Sequence, residues 1–169
     1  MADVSIEFDT IFSIKGLEKL GDNTELNRRV LDGAAAILLR RNRERFLRAV
    51  DPDGKPWLVS RQAQIRAAGG TDLSGVKDTG RKTLFSTGSL FNSIQVLRKL
   101  AGQNERRIGV NPTAINTRSR DLVMNYAVQH QSGTGGGPGI VKREFIGVGK
   151  QDVPIVEKFL LKEIEALFK

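Results

Sequence analysis

Hydrophobic positions between Asn23 and Val50 recur at about 100° per residue, the period of an amphipathic helix, but they do not stay on one line. Leu26, Val30, Ala34, Ile37 and Leu38 share one side of the first half, whereas Leu39, Phe46, Leu47 and Val50 fall on nearly the opposite side of the second. Asn23 or Thr24 can cap the start, and the stretch Glu25 to Ala49 holds one Gly and no Pro, so a continuous helix of about 40 Å is expected at roughly 1.5 Å per residue. It is the spine on which the other elements should pack. Asp51-Pro52-Asp53-Gly54-Lys55-Pro56-Trp57 follows and should stop it, because Pro52 biases Asp51 away from helical angles and Asp53-Gly54 is a turn dipeptide.

The remaining pattern predicts shorter elements. Val4, Ile6 and Phe8 alternate with polar residues as in a half-buried strand, and Gly16 to Leu20 has room for a helical turn. Ser60 is placed to cap a helix over Arg61–Ala68, and Thr83–Ser93 reads as a helix with Gly88 weakening its middle. Ile94, Val96, Arg98 and Leu100 alternate before Gly102-Gln103-Asn104-Glu105, and Ile108 and Val110 follow, which predicts a hairpin. Asp121 is a cap for a helix over Leu122–Gln131, Val141–Val148 reads as a strand, and Asp152 is a cap for a last helix with Val156, Phe159, Leu160, Ile164 and Leu167 on its apolar face. Gly and polar residues dominate 69–82 and 132–140, two expected flexible loops. The order predicts one α+β domain over 1–169, a small antiparallel sheet with a long central helix and a C-terminal helix packed on it.

Composition narrows the function. The chain has no Cys and one His, His130, which removes disulfides, thiolate metal sites and the clustered imidazoles of a typical zinc site, so no metal site is expected. No apolar run approaches the roughly 20 residues of a membrane span, and Met1-Ala2-Asp3 lacks a signal-peptide pattern, so no membrane partner and a cytoplasmic site of synthesis are expected. Lys and Arg number 27 against 19 acidic residues, a net charge of +8. That balance favours nucleic acid or an acidic protein surface. Aromatic content of 6% gives little support to a base-stacking platform.

Catalytic constellations are not found. Gly135-Gly136-Gly137-Pro138-Gly139 lacks the Gly-Lys-Ser/Thr ending of a phosphate loop, Ser132 and His130 are close only in sequence, and Asp152, the candidate partner of Glu144 in a carboxylate pair, is already assigned to a cap. His130 is better read as polar packing near the end of its helix. Charge is more informative on the spine, where Arg41, Arg45 and Arg48 share a face that was apolar one half earlier. Two readings stay open: a solvated face, or a face that meets an anionic partner. In a ring of copies, the Glu157, Glu163 and Glu165 region of the next subunit is the natural acidic counterpart.

Four separated pieces carry a family resemblance: Asp51 to Trp57, Leu84-Phe85-Ser86-Thr87-Gly88-Ser89-Leu90-Phe91-Asn92-Ser93-Ile94, Tyr126-Ala127-Val128-Gln129-His130-Gln131-Ser132-Gly133, and Arg143-Glu144-Phe145-Ile146-Gly147. In this order they resemble the phage virion morphogenesis family, the tail-completion proteins of tailed phages. The resemblance implies a non-enzymatic virion assembly protein without a cofactor, acting at the head-tail neck or tail end, with connector, portal or tail proteins as partners, present in the host cytoplasm during assembly and forming a homo-oligomeric ring. It also implies structural roles for Asp51, Gly54, Trp57, Thr87, Gly88, Tyr126, His130 and Arg143, with Trp57 folded back on the Phe46 and Val50 side of the spine and the Tyr126 hydroxyl satisfied. The alternative is a basic nucleic-acid-binding protein, with DNA nearby in either case.

Overall fold

The computed structural model describes residues 24–69, 83–85, 87–97, 106–133 and 140–166. The spine is α1, Thr24–Arg48, followed by α2, Arg61–Ala67, and a single helical turn, α3, Ser89–Ser93. Two short strands come next, β1 (Ile94–Val96) and β2 (Ile108–Val110), then α4 (Val123–Ser132) and α5 (Val153–Glu165). β1 and β2 are antiparallel, with Ile94 opposite Val110 and Val96 opposite Ile108. The fold is α+β, with α5 packed along α1. The expected strand at Val4–Phe8, the turn at Gly16–Leu20, and most of the two expected flexible loops lie outside the described residues.

The change of sides on the spine has a structural counterpart. Leu26, Val30, Ala34 and Leu38 pack with Val156 and Leu160 of α5 in one core, and Phe46 belongs to a second core with Trp57, Leu90, Ile94, Val110, Val123, Ala127, Phe145 and Ile146. One helix therefore serves two cores on opposite faces. The Phe46 ring is the centre of the second, meeting Trp57 and Phe145 edge-on at centroid separations of 5.5 and 5.8 Å.

Ala49 stops α1 by adopting a left-handed conformation, φ 54°, and the Val50 N–H then donates to the Arg45 carbonyl. The chain reverses tightly: the Asp51 carboxylate accepts the Lys55 N–H, Gly54 sits at φ 87°, and the Trp57 N–H returns to the Ala49 carbonyl. Gly54 supplies a backbone angle that side chains disfavour, and the reversal delivers Trp57 onto Phe46 as the resemblance implies.

Four expectations need correction. Val141–Val148 is not a strand. The Gln131 side chain takes its backbone partners instead: Gln131 Oε1 accepts the N–H groups of Phe145 and Ile146, and Gln131 Nε2 donates to the Ile146 carbonyl. The helix expected over Thr83–Ser93 shrinks to its last turn, because Leu84 and Gly88 both hold positive φ, 65° and 75°. Neither Asp121 nor Asp152 caps its helix through its side chain: α4 begins after Leu122, and Asp152 spends its carboxylate elsewhere. Ser60 does cap α2, accepting the Ala63 N–H at 3.2 Å.

Candidate functional site

Two of the three arginines on this face of the spine, Arg41 and Arg45, are turned into the protein. One helical turn beyond Ala34 and Leu38, the stripe that packs on α5 continues as Arg41 and Arg45, and these reach the residue at the start of α5. Arg45 is 3% exposed and bonds through Nη1 to Asp152 Oδ2, while its Nη2 donates to the Gly147 carbonyl and to Asn42 Oδ1. Arg41 Nε reaches Asp152 Oδ1 at 3.0 Å. The Gly149 N–H completes the set on Asp152 Oδ2, and the Gly147 N–H donates to Asn42 Oδ1.

This arrangement explains the ionisation of Asp152. Burial pushes its carboxyl up, but hydrogen bonds from Arg45, the Gly149 N–H and Arg41 outweigh that effect and hold it below the ordinary aspartate value. Arg41 is shifted upward, first by its hydrogen bond to Asp152. Neither reading left open by the sequence describes these two residues. Their anion is within the chain, and only Arg48 of the three is exposed. On the acidic side, Glu163 pairs with Arg29 at 2.9 Å, while Glu157 and Glu165 are exposed. The expected contact between an Arg face and a neighbouring subunit's Glu face is therefore withdrawn for Arg41 and Arg45. The signal for this outcome was present in the spacing, since both arginines extend the line of side chains that faces α5.

The residues carrying the resemblance converge elsewhere. A cleft of about 650 Å³ lies between the start of α2, the turn into α3, α4 and the segment after Ile140. Thr87, Gly88, Tyr126, His130 and Arg143 all line it. Asp51, Gly54 and Trp57 do not line it; Trp57 stands behind it in the core, its Nε1–H donating to the Glu144 carbonyl at 3.0 Å. Thr87 and Gly88 form a tight turn in which Thr87 Oγ1 accepts the Ser89 N–H and contacts Ser89 Oγ at 2.8 Å. Tyr126 Oη accepts a long hydrogen bond from Asn116 Nδ2 at 3.4 Å, and burial outweighs that bond in raising its pKa.

Arg143 is 6% exposed, and α4 helps to place it, since its N–H donates to the His130 carbonyl at the end of that helix. Its Nε and Nη1 donate to the carbonyls of Leu58 and Val141 at 3.0 and 3.1 Å. These acceptors are neutral, and burial lowers its pKa. His130 is pulled down to about 4 by burial and by the positive charge of Arg143, so it is neutral at pH 7, and its Nδ1 is buried without a hydrogen-bond partner among the described residues.

Among the described residues, the lining contains Arg61, Arg143 and several hydroxyl and amide groups, but no Asp or Glu. The surrounding surface is apolar: Leu58 is 67% exposed, Val59 56% and Val141 44%, and the last two line the cleft itself. Such a combination of an apolar rim and a cationic interior suits recognition of another molecule. Sequence reading did not single out Arg61, Asn116 or Val59 as members of this site. Val59 and Arg61, just before and at the start of α2, lie far from α4 in the chain, Asn116 lies in the turn before that helix, and no local pattern joins them.

Comparison with protein-family models, with curated proteins and with solved structures gives no match. Among the described residues no helix is long and apolar enough to cross a membrane, and no group of three His, Asp or Glu side chains is placed to hold a metal ion.

Proposed function

We propose that this chain is a structural assembly protein of a tailed-phage virion, acting in tail completion or head-tail joining at the neck, and that it engages connector, portal or tail proteins through the cleft. The observation that carries the reading is the convergence of Thr87, Gly88, Tyr126, His130 and Arg143, from three separated pieces of sequence, on a single cleft with an exposed apolar rim. Scaffold residues that served only the core would not need to open on a common surface. The fourth piece, Asp51 to Trp57, supports that surface from behind through Trp57.

Oligomerisation as a ring belongs to the same proposal, although the contacts first expected for it do not. The alternative of nucleic-acid binding draws on the charge of +8. Part of that charge is engaged within the chain, by Arg29 with Glu163, Arg41 and Arg45 with Asp152, and Arg106 with Asp32, which leaves fewer cations for a phosphate track.

Inactivating the encoding gene in a phage that carries it tests the proposal. Electron microscopy of the lysate should show full heads and tails that fail to join, or tails of defective length, with infectivity restored by the gene supplied in trans. Normal, infectious particles without the protein would contradict it.

A further inference from the structure

We infer that the cleft receives an extended segment of a partner protein in which a carboxylate is flanked by apolar side chains, the carboxylate seating against Arg143 and Arg61 and the apolar groups covering Val59 and Val141. The inference rests on the assembly role proposed above and supplies the chemistry of the contact.

The contrast between two buried arginines carries it. Arg45, 3% exposed, has the carboxylate of Asp152 against it. Among the described residues, the Arg143 guanidinium, in a residue 6% exposed, meets the carbonyls of Leu58 and Val141 and no carboxylate within ion-pair distance. Glu144, the next residue, turns to Lys142 at 3.2 Å instead. A buried cation without a counter-ion is costly, and a carboxylate entering the cleft would offset that cost. Arg61 stands exposed at the mouth, also without a described acidic partner, and can guide the same group inward.

The form of the ligand follows from the rim. A small anion would leave the exposed side chains of Leu58, Val59 and Val141 in water, whereas a peptide with apolar residues beside its carboxylate would cover them. A volume of about 650 Å³ accommodates anchoring side chains rather than a folded domain. A duplex is disfavoured, because the described lining of the cleft offers two cations, one of them recessed, where a phosphate backbone is held by a row of exposed Lys and Arg.

The test uses the full chain and two pools of short acetylated peptides, one with a central Glu or Asp between Leu, Val and Phe, the other with Gln or Asn at the centre. Binding is read by fluorescence anisotropy and located by amide chemical shifts. The acidic pool should bind, with shifts at Thr87, Tyr126, His130 and Val141, and the amide pool should bind about tenfold more weakly or less. Arg61→Glu should weaken the acidic pool by about tenfold with an unchanged melting temperature. Arg143→Gln should weaken it too, but that variant also removes two backbone contacts, so the exposed Arg61 is the deciding position. Equal affinity for both pools, no binding of either, shifts outside the cleft, displacement by duplex DNA, or self-association abolished by Arg61→Glu would each overturn the inference. The virion role would then still stand or fall on gene inactivation, which does not depend on the peptide chemistry.

Discussion

Arg45 and Asp152 show what a residue contributes when its partner is remote in sequence but adjacent in space. Removing one member of a buried pair leaves the other charge uncompensated, at a cost of about 3 to 5 kcal/mol. Asp152→Ala should therefore lower the denaturant midpoint sharply, and Arg45→Glu should do so as well, whereas Arg48→Glu on the exposed side should leave it nearly unchanged. Urea unfolding of the three variants checks the ordering. His130 gives a pH dependence. Its folded pKa, about 4, lies below the ordinary value of 6.5, so the unfolded chain binds the proton more readily. Stability is full above pH 6.5 and falls as pH drops toward 4, and His130→Gln should remove that decline. Asp152 acts in a lower window: its folded pKa is depressed below 3.8, so its contribution is present above that value and lost further into acid. At this scale the sequence identified the right arginines and the wrong anion. Spacing shows which side chains share a face, but Asp152 lies 107 residues from Arg45 and no periodic signal connects them.

Elements follow the hydrophobic pattern where they bury a stripe and depart from it where a single side chain replaces a ladder. The two faces of α1 were legible because each is written in large apolar residues at helical spacing, and the structure gives each face its own core. Val141–Val148 departs from the expected strand because Val, Phe and Ile suit an extended chain, and extension alone does not supply a neighbouring strand. Gln131, buried in α4, satisfies the backbone there instead. The junction between this segment and the turn after α1 is very close: a Cβ on Gly149 would lie 1.8 Å from the Pro52 carbonyl oxygen. Gly149→Ala must push two backbones apart and should cost at least about 1 to 3 kcal/mol. Trp57→Ala, which removes an edge-on neighbour of Phe46, should cost about 3 to 5 kcal/mol. Calorimetry of both variants checks these values; a shift in melting temperature near zero for Trp57→Ala would mean that the second core does not depend on its indole.

For the molecule as a whole, the α+β class and the helix-on-helix packing of α5 against α1 were readable from the order of elements, whereas the cleft was not. It draws on α2, the turn into α3, α4 and the segment after Ile140, and only the three-dimensional meeting of these parts places Arg61 and Val59 beside Arg143 and His130. By the proposed function, this cleft is where the chain meets another virion protein. This contact is tested most directly by placing a photo-crosslinking amino acid at Val59, on the rim of the cleft, and in a second variant at Glu157, exposed on α5, then irradiating assembled particles. A crosslink from position 59 to a connector, portal or tail protein is expected, with a much weaker one from position 157. Crosslinks from position 157 alone, or from position 59 only to DNA, would contradict the proposed contact.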